Sequence, residues 1–352
     1  VDGRSPLYSE VLEKVMQYKP ELVVIAAGDA LMPDVDVGHY RIAGNFSAMF
    51  RRYKVKTMGV GKFVVAHPEL FAKDYDAWVT GPCMYGFVDA VEAVLVGKLG
   101  RHETQLSGRL RCLPKFDRLV PVEQDDSYVF SSYGCPYQCD FCYRHKIYAG
   151  RHALIPPEVF AEDVSRRKKT NLTIRDGTIA TDASRILDLA DAVRKFNLTD
   201  RRFACDIRAD LITDEMLSAF KELGVFRLKM GLETLDDQAL AKMKKLESAD
   251  TISEKMYKVK EAGFKLSVYM IIGAGYADRK AWEHTISFLR GLKPDGVVIN
   301  TAAYLDFDDP LAKYDSHFSP VSARRYGVEM DLLWQLLKLQ DELANPTIDV
   351  IR

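Results

Sequence analysis

The feature that most constrains this chain is a group of three cysteines within eight residues. Cys135, Cys139 and Cys142 follow the pattern C-x-x-x-C-x-x-C. A loop this short can wrap one face of an inorganic cluster and present three thiolates to three of its corners. Iron–sulfur clusters usually have four cysteine ligands, and no fourth cysteine lies nearby. A cluster with three protein ligands keeps one open iron, and an open metal position is where a substrate or cofactor binds. The remaining cysteines are scattered along the chain: Cys83, Cys112 and Cys205.

A zinc site is the alternative for the same stretch. It would use Cys139, Cys142 and a histidine such as His145 or His152. Zinc knuckles need two paired groups of ligands, and Cys135 would have no role in such a site. The spacing therefore favours an iron–sulfur cluster over zinc.

Length and composition narrow the class of protein. The chain has 352 residues, which is enough for two domains. Its formal net charge of −1 argues against a dedicated nucleic-acid surface. No apolar run approaches the ~20 residues that span a bilayer, and no signal-peptide pattern opens the chain. Six cysteines with three in one loop are not a disulfide framework, so we expect a reducing, anaerobic cytoplasm. The first residue is Val1 rather than Met, which fits a chain that lacks an N-terminal piece.

Residues 1–100 alternate between apolar runs and amphipathic segments. Strands that alternate with helices predict a parallel sheet with helices on its faces. We therefore expect a Rossmann-like domain that begins part-way through its topology. A basic linker with two prolines, to which we assign no function, follows over residues 101–126. The predicted strands are Glu21–Ala27, Val55–Val60 and Ala77–Thr80, and the predicted helices are 7–18, Phe46–Tyr53, Pro68–Lys73 and Val88–Leu99.

From residue 127 the alternation becomes regular and predicts a partial (β/α)6 barrel over residues 127–318. Chemistry in such barrels takes place at the C-terminal ends of the strands, and the cysteine loop follows the first strand. A C-terminal helical segment, 319–352, contains an amphipathic helix over Val321–Leu343 that we expect to pack on the barrel. The predicted strands are Tyr128–Ser131, Leu172–Arg175, Arg202–Asp206, Phe226–Met230, Lys265–Ile271 and Gly296–Asn300; the predicted helices are 157–168, 181–196, 213–223, 250–262 and 279–291.

The cysteine loop resembles that of the radical S-adenosylmethionine (SAM) enzymes, including the aromatic residue Phe141 just before the third cysteine. In that family the open iron of a 4Fe–4S cluster chelates the amino and carboxylate groups of SAM. Electron transfer from the cluster then cleaves SAM to a 5′-deoxyadenosyl radical, which takes hydrogen from an unactivated carbon. The resemblance implies that Cys135, Cys139 and Cys142 hold the cluster and that Phe141 lies at the SAM site. It also implies a reductant such as flavodoxin or ferredoxin.

The same resemblance assigns SAM-binding roles at successive strand ends. Asp176 and Gly177 stand where the family has a GGE-like motif for the SAM amino group. Because this sequence reads Arg-Asp-Gly-Thr there, the resemblance implies a backbone role for the pair. Arg208 matches the basic residue that related enzymes place near the SAM carboxylate, which suits a guanidinium fork. Glu233 lies in a stretch that resembles the G-[IL]-E-[ST] motif, where it would meet the ribose hydroxyls or the cationic centre of SAM.

A fifth strand end resembles the I-G-x-P-G turn whose backbone lies along the adenine. Gly273 and Gly275 would take that role, although the proline is missing. Cys205 is either a hydrogen-atom donor or, as small buried cysteines usually are, part of the core. Two further groups are weaker candidates. The first group would line the entrance to the substrate site or form a solvated acidic loop: Tyr304, Asp306, Asp308 and Asp309. The second group would tune the charge of the cluster or gate the site: Arg144, His145, Lys146 and Tyr148.

The N-terminal domain resembles the cobalamin-binding module of the cobalamin-dependent radical SAM class. The resemblance rests on domain order and on glycines at Gly59, Gly61 and Gly81, which let the backbone approach a nucleotide tail. The D-x-H-x-x-G signature of base-off cobalamin binding is absent, because Asp36 and His39 have the wrong spacing. The alternative is a vestigial or partner-binding domain without a corrinoid.

Three functions are consistent with these features. The first is a radical SAM methyltransferase that uses methylcobalamin to methylate an unactivated carbon. The second is a cobalamin-independent radical SAM cyclase, dehydrogenase or C–C bond-forming enzyme. The third is a non-catalytic iron–sulfur electron carrier. The substrate is expected to be a peptide or protein side chain, a lipid or a natural product, and no appended basic module indicates RNA.

Overall fold

The structure is a computed structural model that describes most of the two predicted domains. The described residues are 8–26, 39–61, 64, 72–81, 87–103, 127–142, 144, 148, 150–272, 279–301 and 338. Several predictions lie outside them: Gly273 and Gly275, His145 and Lys146, the acidic loop at 304–309, and the C-terminal helix apart from Lys338, which is helical. Within the described ranges, none of the helices has the length and apolar character needed to cross a bilayer.

The N-terminal part contains a four-stranded parallel sheet in the order β1-β2-β3-β4. Apolar side chains from β2, β3 and α3 form one small core, which includes Met58, Val79 and Val94. The prediction of a parallel sheet with helices is confirmed here. The elements are α1 (Tyr8–Met16), β1 (Leu22–Ala26), α2 (His39–Arg52), β2 (Lys56–Val60), β3 (Ala77–Thr80), α3 (Phe87–Leu95) and β4 (Gly100–Glu103).

Strand β4 corrects the prediction of a linker that starts at residue 101. Its sequence, Gly-Arg-His-Glu, has no apolar residue, and its residues alternate between half-buried and exposed. It is held to β3 by a parallel register from Ala77↔Gly100 to Thr80↔Glu103. Because an edge strand needs only backbone pairing on one side, hydrophobic periodicity does not reveal it.

The C-terminal part contains a six-stranded, all-parallel sheet in chain order, β5-β8-β9-β10-β11-β12. Helices connect successive strands, as predicted. The strands are β5 (Tyr128–Val129), β6 (Ser132–Gly134), β7 (His152–Leu154), β8 (Asn171–Ile174), β9 (Arg202–Asp206), β10 (Val225–Gly231), β11 (Lys265–Ile272) and β12 (Gly296–Thr301). The helices are α4 (Pro157–Ser165), α5 (Ala183–Lys195), α6 (Asp214–Leu223), α7 (Asp237–Lys242), α8 (Ala249–Glu261) and α9 (Arg279–Leu292), with a short 3-10 turn at Ala209–Leu211.

Local sequence explains where these elements begin and end. Asp182 caps α5 by accepting a hydrogen bond from the backbone N–H of Arg185, at 3.0 Å. Thr213 caps α6 in the same way through the N–H of Met216, at 3.1 Å. Gly224 ends α6 at φ +84°, a left-handed conformation that favours glycine. Asp and Thr are both favoured N-cap residues.

One short hairpin was not predicted. The strand expected over Tyr128–Ser131 ends early as β5, and Ser132–Gly134 instead pairs antiparallel with β7. This hairpin places Cys135 directly after β6. The loops that follow β8, β9 and β10 then lie at the same carboxyl edge of the parallel sheet, and they carry Asp176, Arg208 and Glu233.

Candidate active site

The cysteine loop is anchored at its far end by the connection between α7 and α8. The N–H of Asp140 donates to the carbonyl oxygen of Met243 at 2.8 Å, and Lys244 Nζ lies 3.0 Å from Asp140 Oδ1. A turn within the loop is closed by the N–H of Cys142, which donates to the carbonyl of Cys139 at 3.0 Å. The three thiols therefore sit on a loop that is held by the protein on both sides. Phe141 lies in this loop and is partly buried.

Two glycines allow the loop to pack closely. Gly134 has φ +81°, and a Cβ there would overlap the carbonyl oxygen of Arg151. At Gly177 a Cβ would lie 2.7 Å from the Gly134 carbonyl oxygen and 2.9 Å from Cys135 Cβ. Gly177, which the family resemblance assigns to SAM, thus lies against the first cysteine.

Asp176 ties the loop after β8 to the strand that leads into the cysteines. Its Oδ1 accepts from the Ser131 N–H at 2.9 Å, and its Oδ2 accepts from the hydroxyls of Ser131, at 2.5 Å, and Ser132, at 2.8 Å. Burial raises the pKa of Asp176 to about 6, although the hydrogen bonds from the two serines lower it. Both carboxylate oxygens of Asp176 already accept hydrogen bonds from the protein. Any contact of Asp176 and Gly177 with SAM is therefore still expected to come from their backbone.

The surroundings of the thiols combine burial with positive charge. Burial raises the pKa of Cys142 to about 12, and Arg144 opposes that shift. Burial also raises the pKa of Cys139, against the positive charges of Lys245 and Arg208, and that of Cys135, against a hydrogen bond from the Tyr137 backbone and against Arg144 and Arg208. Without metal, the thiols hold their protons at neutral pH, so metal binding must release them.

Lys245 and Glu247 belong to this site although the sequence did not reveal them. Their side chains are 5% and 0% exposed, and Lys245 Nζ lies 3.1 Å from Glu247 Oε2. Lys244 and Leu246 have φ +52° and +58° and point outward, with exposures of 66% and 80%. The left-handed backbone of Lys244 and Leu246 turns the side chains between and after them inward, and no sequence pattern predicts such a conformation. From sequence alone, the stretch Lys-Lys-Leu-Glu looks like an ordinary solvated loop.

Glu233 follows β10 in a strained backbone conformation, φ +57°. The N–H groups of Leu232 and Glu233 both donate to the carbonyl of Tyr269, at 2.9 and 3.1 Å. Burial raises the pKa of Glu233 to about 7, while the nearby charge of Lys245 lowers it. A Cβ on Gly231 would lie 2.5 Å from Glu233 Oε1 and 3.0 Å from Lys245 Nζ, so the carboxyl and the ammonium face the same space.

Three buried oxygen atoms at the strand ends have no hydrogen-bond partner among the described residues: Thr178 Oγ1, Glu233 Oε2 and Thr234 Oγ1. Leaving a buried polar group unpaired costs about 1–3 kcal/mol. These atoms follow β8 and β10, at the edge that carries the cysteine loop. A polar ligand at this edge would satisfy them, and the hydroxyl, amino and carboxylate groups of SAM are suitable partners.

The described residues do not assemble a site for a single metal ion. Among the residues that the structure describes, no three Cys, His, Asp or Glu side chains converge closely enough to hold one metal ion. The ligands of a cubane cluster bind different irons, so their sulfur atoms lie farther apart than donors around one ion. The zinc alternative with His152 is therefore not assembled, and His145 lies outside the described residues.

Cys205 is fully buried in β9, within the main hydrophobic core. Burial, together with the negative charges of Asp206 and Asp176, raises its pKa well above the usual range. This placement agrees with a core role for Cys205.

The glycines proposed for cobalamin lie at one edge of the N-terminal sheet. Gly59 pairs with Trp78 across β2 and β3, and Gly61 and Gly81 directly follow those strands with φ +110° and +129°. Both values are in the region that favours glycine. The edge therefore offers backbone at the position where nucleotides approach parallel sheets.

Residues 129–289 match the family model of the radical SAM superfamily. Hopanoid C-3 methylase of Methylococcus capsulatus is 23% identical over 154 residues, which are 43% of this chain and 30% of that protein. The heme chaperone HemW of Bacillus subtilis is 27% identical over 104 residues, 29% of this chain and 27% of that protein.

Solved structures share the fold over a larger part of the chain. The radical SAM methyltransferase TsrM of Kitasatospora setae, with cobalamin and a 4Fe–4S cluster bound, has a TM-score of 0.67 at 12% identity and covers 85% of this chain. The cobalamin-dependent radical SAM enzyme OxsB, with aqua-cobalamin and SAM bound, has a TM-score of 0.65 at 15% identity and covers 96%. This chain spans 64% of TsrM and 50% of OxsB.

Proposed function

Because residues 129–289 match the radical SAM superfamily, we propose that this chain is a SAM-cleaving enzyme that methylates an unactivated carbon. When bound, a 4Fe–4S cluster with SAM would supply the 5′-deoxyadenosyl radical, and methylcobalamin would supply the methyl group. The observation that carries the proposal is that three thiols lie at the same sheet edge as buried oxygen atoms with no hydrogen-bond partner among the described residues. No side-chain base removes a proton from an unactivated carbon at neutral pH, which is why a radical is needed.

The proposal gives a role to each group of residues at the carboxyl edge of the six-stranded sheet. Cys135, Cys139 and Cys142 would hold the cluster, which would also bind SAM. Asp176 and Gly177 fix the cysteine loop against β8, through hydrogen bonds to Ser131 and Ser132 and through close packing on Cys135. Thr178, Glu233 and Thr234 would receive polar groups of SAM, and Phe141 would pack beside it.

The sheet of six parallel strands is proposed to be an open (β/α)6 barrel over residues 127–318, with residues 1–100 as the cobalamin domain. The solved structures of TsrM and OxsB, which share the fold over most of this chain, contain bound cobalamin. Gly59, Gly61 and Gly81 would let the backbone approach the corrinoid. The absence of a D-x-H-x-x-G motif favours the second candidate, a cobalamin-independent radical SAM enzyme with a vestigial first domain.

The remaining partners are also proposals. A flavodoxin or ferredoxin in the cytoplasm would deliver the electron. The similar proteins differ in substrate: one is a hopanoid methylase, and TsrM has been solved with a tryptophan substrate bound. A lipid, a peptide or protein side chain and a natural product are therefore all kept as substrate classes.

The test is anaerobic reconstitution with iron and sulfide, followed by reduction in the presence of SAM. We expect a full 4Fe–4S cluster per chain and release of 5′-deoxyadenosine. Cys139→Ala should lose most of the bound iron and all SAM cleavage, whereas Cys205→Ala, a change in the core, should retain both. A stable cluster with a fourth protein ligand and no SAM cleavage would instead identify an electron carrier.

A further inference from the structure

The guanidinium of Arg208 is already occupied by the protein itself. Arg208 follows β9, and its side chain is 9% exposed. Its Nε donates to Asp210 Oδ1 and its Nη2 to Asp210 Oδ2, both at 3.0 Å. Nη2 also donates to the carbonyl oxygen of Lys245, at 2.7 Å. The Nε–Nη2 edge of the guanidinium, which could bind a carboxylate of SAM in a bidentate manner, is therefore occupied by Asp210.

What remains of the guanidinium faces the cysteine loop. Nη1 lies 3.7 Å from Cys139 Sγ, which is within hydrogen-bonding range for sulfur. The guanidinium carbon lies 4.0 Å from the centroid of the Tyr137 ring, so the loop covers one face of the cation. Tyr137 and Cys139, which belong to the same loop, thus both contact the guanidinium of Arg208.

Glu247 also holds this arrangement in place. Its Oε2 lies 3.4 Å from Arg208 Nη2 and 3.1 Å from Lys245 Nζ, and its Oε1 accepts from the N–H of Asp210 at 3.0 Å. The side chain of Glu247 is 0% exposed. Because Asp210 and Glu247 hold the guanidinium, its orientation toward Cys139 exists before any ligand arrives.

We propose that Arg208 is a positioning residue that raises the reduction potential of the cluster through the Cys139 thiolate, rather than a ligand of the SAM carboxylate. The inference rests on the proposed function, since it presupposes a cluster on the three cysteines. Reduction adds one negative charge to a cluster, and a fixed cation with an N–H···S contact stabilises that charge. Hydrogen bonds to the sulfur atoms and local charge are among the factors that set such potentials.

The experiment separates the two roles of Arg208. The chain is reconstituted anaerobically, and the midpoint potential of the SAM-free cluster is measured by redox titration with electron paramagnetic resonance. The SAM dissociation constant is measured by calorimetry on the oxidised cluster. Arg208→Gln removes the charge, and Arg208→Lys keeps a buried positive charge without the planar fork, in case the first variant does not fold. Arg194→Gln, an exposed site on α5, is the matched control.

For Arg208→Gln we expect a midpoint potential below that of wild type, with a smaller shift in the same direction for Arg208→Lys and none for the control. The SAM dissociation constant should change less than threefold. A potential equal to that of the control, or a tenfold loss of SAM affinity, would overturn the inference and leave the proposed function intact. A wild-type chain that assembles no cluster would overturn the proposed function as well.

Discussion

At the scale of single residues, burial and hydrogen bonding have opposite effects on the pKa of Asp176. Burial raises its pKa from 3.8 to about 6, even though the N–H of Ser131 and the hydroxyls of Ser131 and Ser132 all favour the ionised form. Between these two pH values the folded state binds more protons at this site than the unfolded state. The free energy of unfolding must therefore fall as pH rises through this window.

Asp176→Asn should remove this dependence. We expect the metal-free wild type to lose up to about 3 kcal/mol of stability relative to the variant between pH 4 and pH 6, measured by urea unfolding. Asp182→Asn is a control of opposite sign. Hydrogen bonds from Ser184 and from the N–H of Arg185 lower the pKa of Asp182, so its contribution is lost as pH falls. Parallel pH profiles for wild type and Asp176→Asn would contradict the assignment.

The unpaired hydroxyls of Thr178 and Thr234 give a second residue-scale prediction. Thr→Val at either position removes a buried hydroxyl that lacks a partner among the described residues. In SAM-free protein we expect an increase in the free energy of unfolding of about 1 kcal/mol, together with weaker SAM binding. A variant that is destabilised without SAM would show that the hydroxyl is already satisfied.

Thr285 is the matched control for these two threonines. It is fully buried, but its Oγ1 donates to the carbonyl of Ala281 at 2.8 Å and accepts from the N–H of Leu235 at 3.0 Å. Thr285→Val should therefore destabilise the protein by about 1–3 kcal/mol, because it leaves the Leu235 N–H unpaired.

At the scale of elements, the β6–β7 hairpin depends on one glycine. Gly134→Ala must place a Cβ against the Arg151 carbonyl at φ +81°, so the hairpin and the cysteine that follows it must move. We expect loss of most of the iron after reconstitution. Gly263 has φ +86° and no atom within 4 Å of its would-be Cβ. Gly263→Ala should cost only about 1–2 kcal/mol of backbone strain and keep its cluster; equal iron contents in the two variants would refute the packing argument.

Sequence periodicity found the elements that are buried and missed those that are held by polar contacts. Strands such as β9 and β11 appear where apolar runs predicted them, because the central residues of a buried parallel strand are mostly apolar. Strand β4 is polar, the β6–β7 hairpin is set by Gly134, and Lys245 and Glu247 face inward only because their neighbours are left-handed. The strand, the hairpin and the Lys245–Glu247 pair produce no periodic pattern of apolar residues in the sequence.

At the scale of the whole molecule, each parallel sheet carries its candidate cofactor residues at its carboxyl edge. The radical SAM match covers residues 129–289 and does not reach the N-terminal sheet. The structures of TsrM and OxsB share the fold over 85% and 96% of the chain, which includes part of both sheets. The two cofactor assignments are therefore independent claims and need independent tests.

Gly81→Val tests the N-terminal assignment. Gly81 directly follows β3 at φ +129°, where a branched side chain is strained and would block approach to the sheet edge. We expect corrinoid affinity to fall roughly tenfold or more, equivalent to about 1.4 kcal/mol, measured from the corrinoid absorbance retained after anaerobic gel filtration. Iron content and release of 5′-deoxyadenosine should stay at wild-type levels. Gly97→Val, at φ +95° with no atom near its would-be Cβ, carries similar strain away from that edge and should retain the corrinoid. A wild-type chain that cleaves SAM but retains no corrinoid would instead support the cobalamin-independent enzyme with a vestigial first domain.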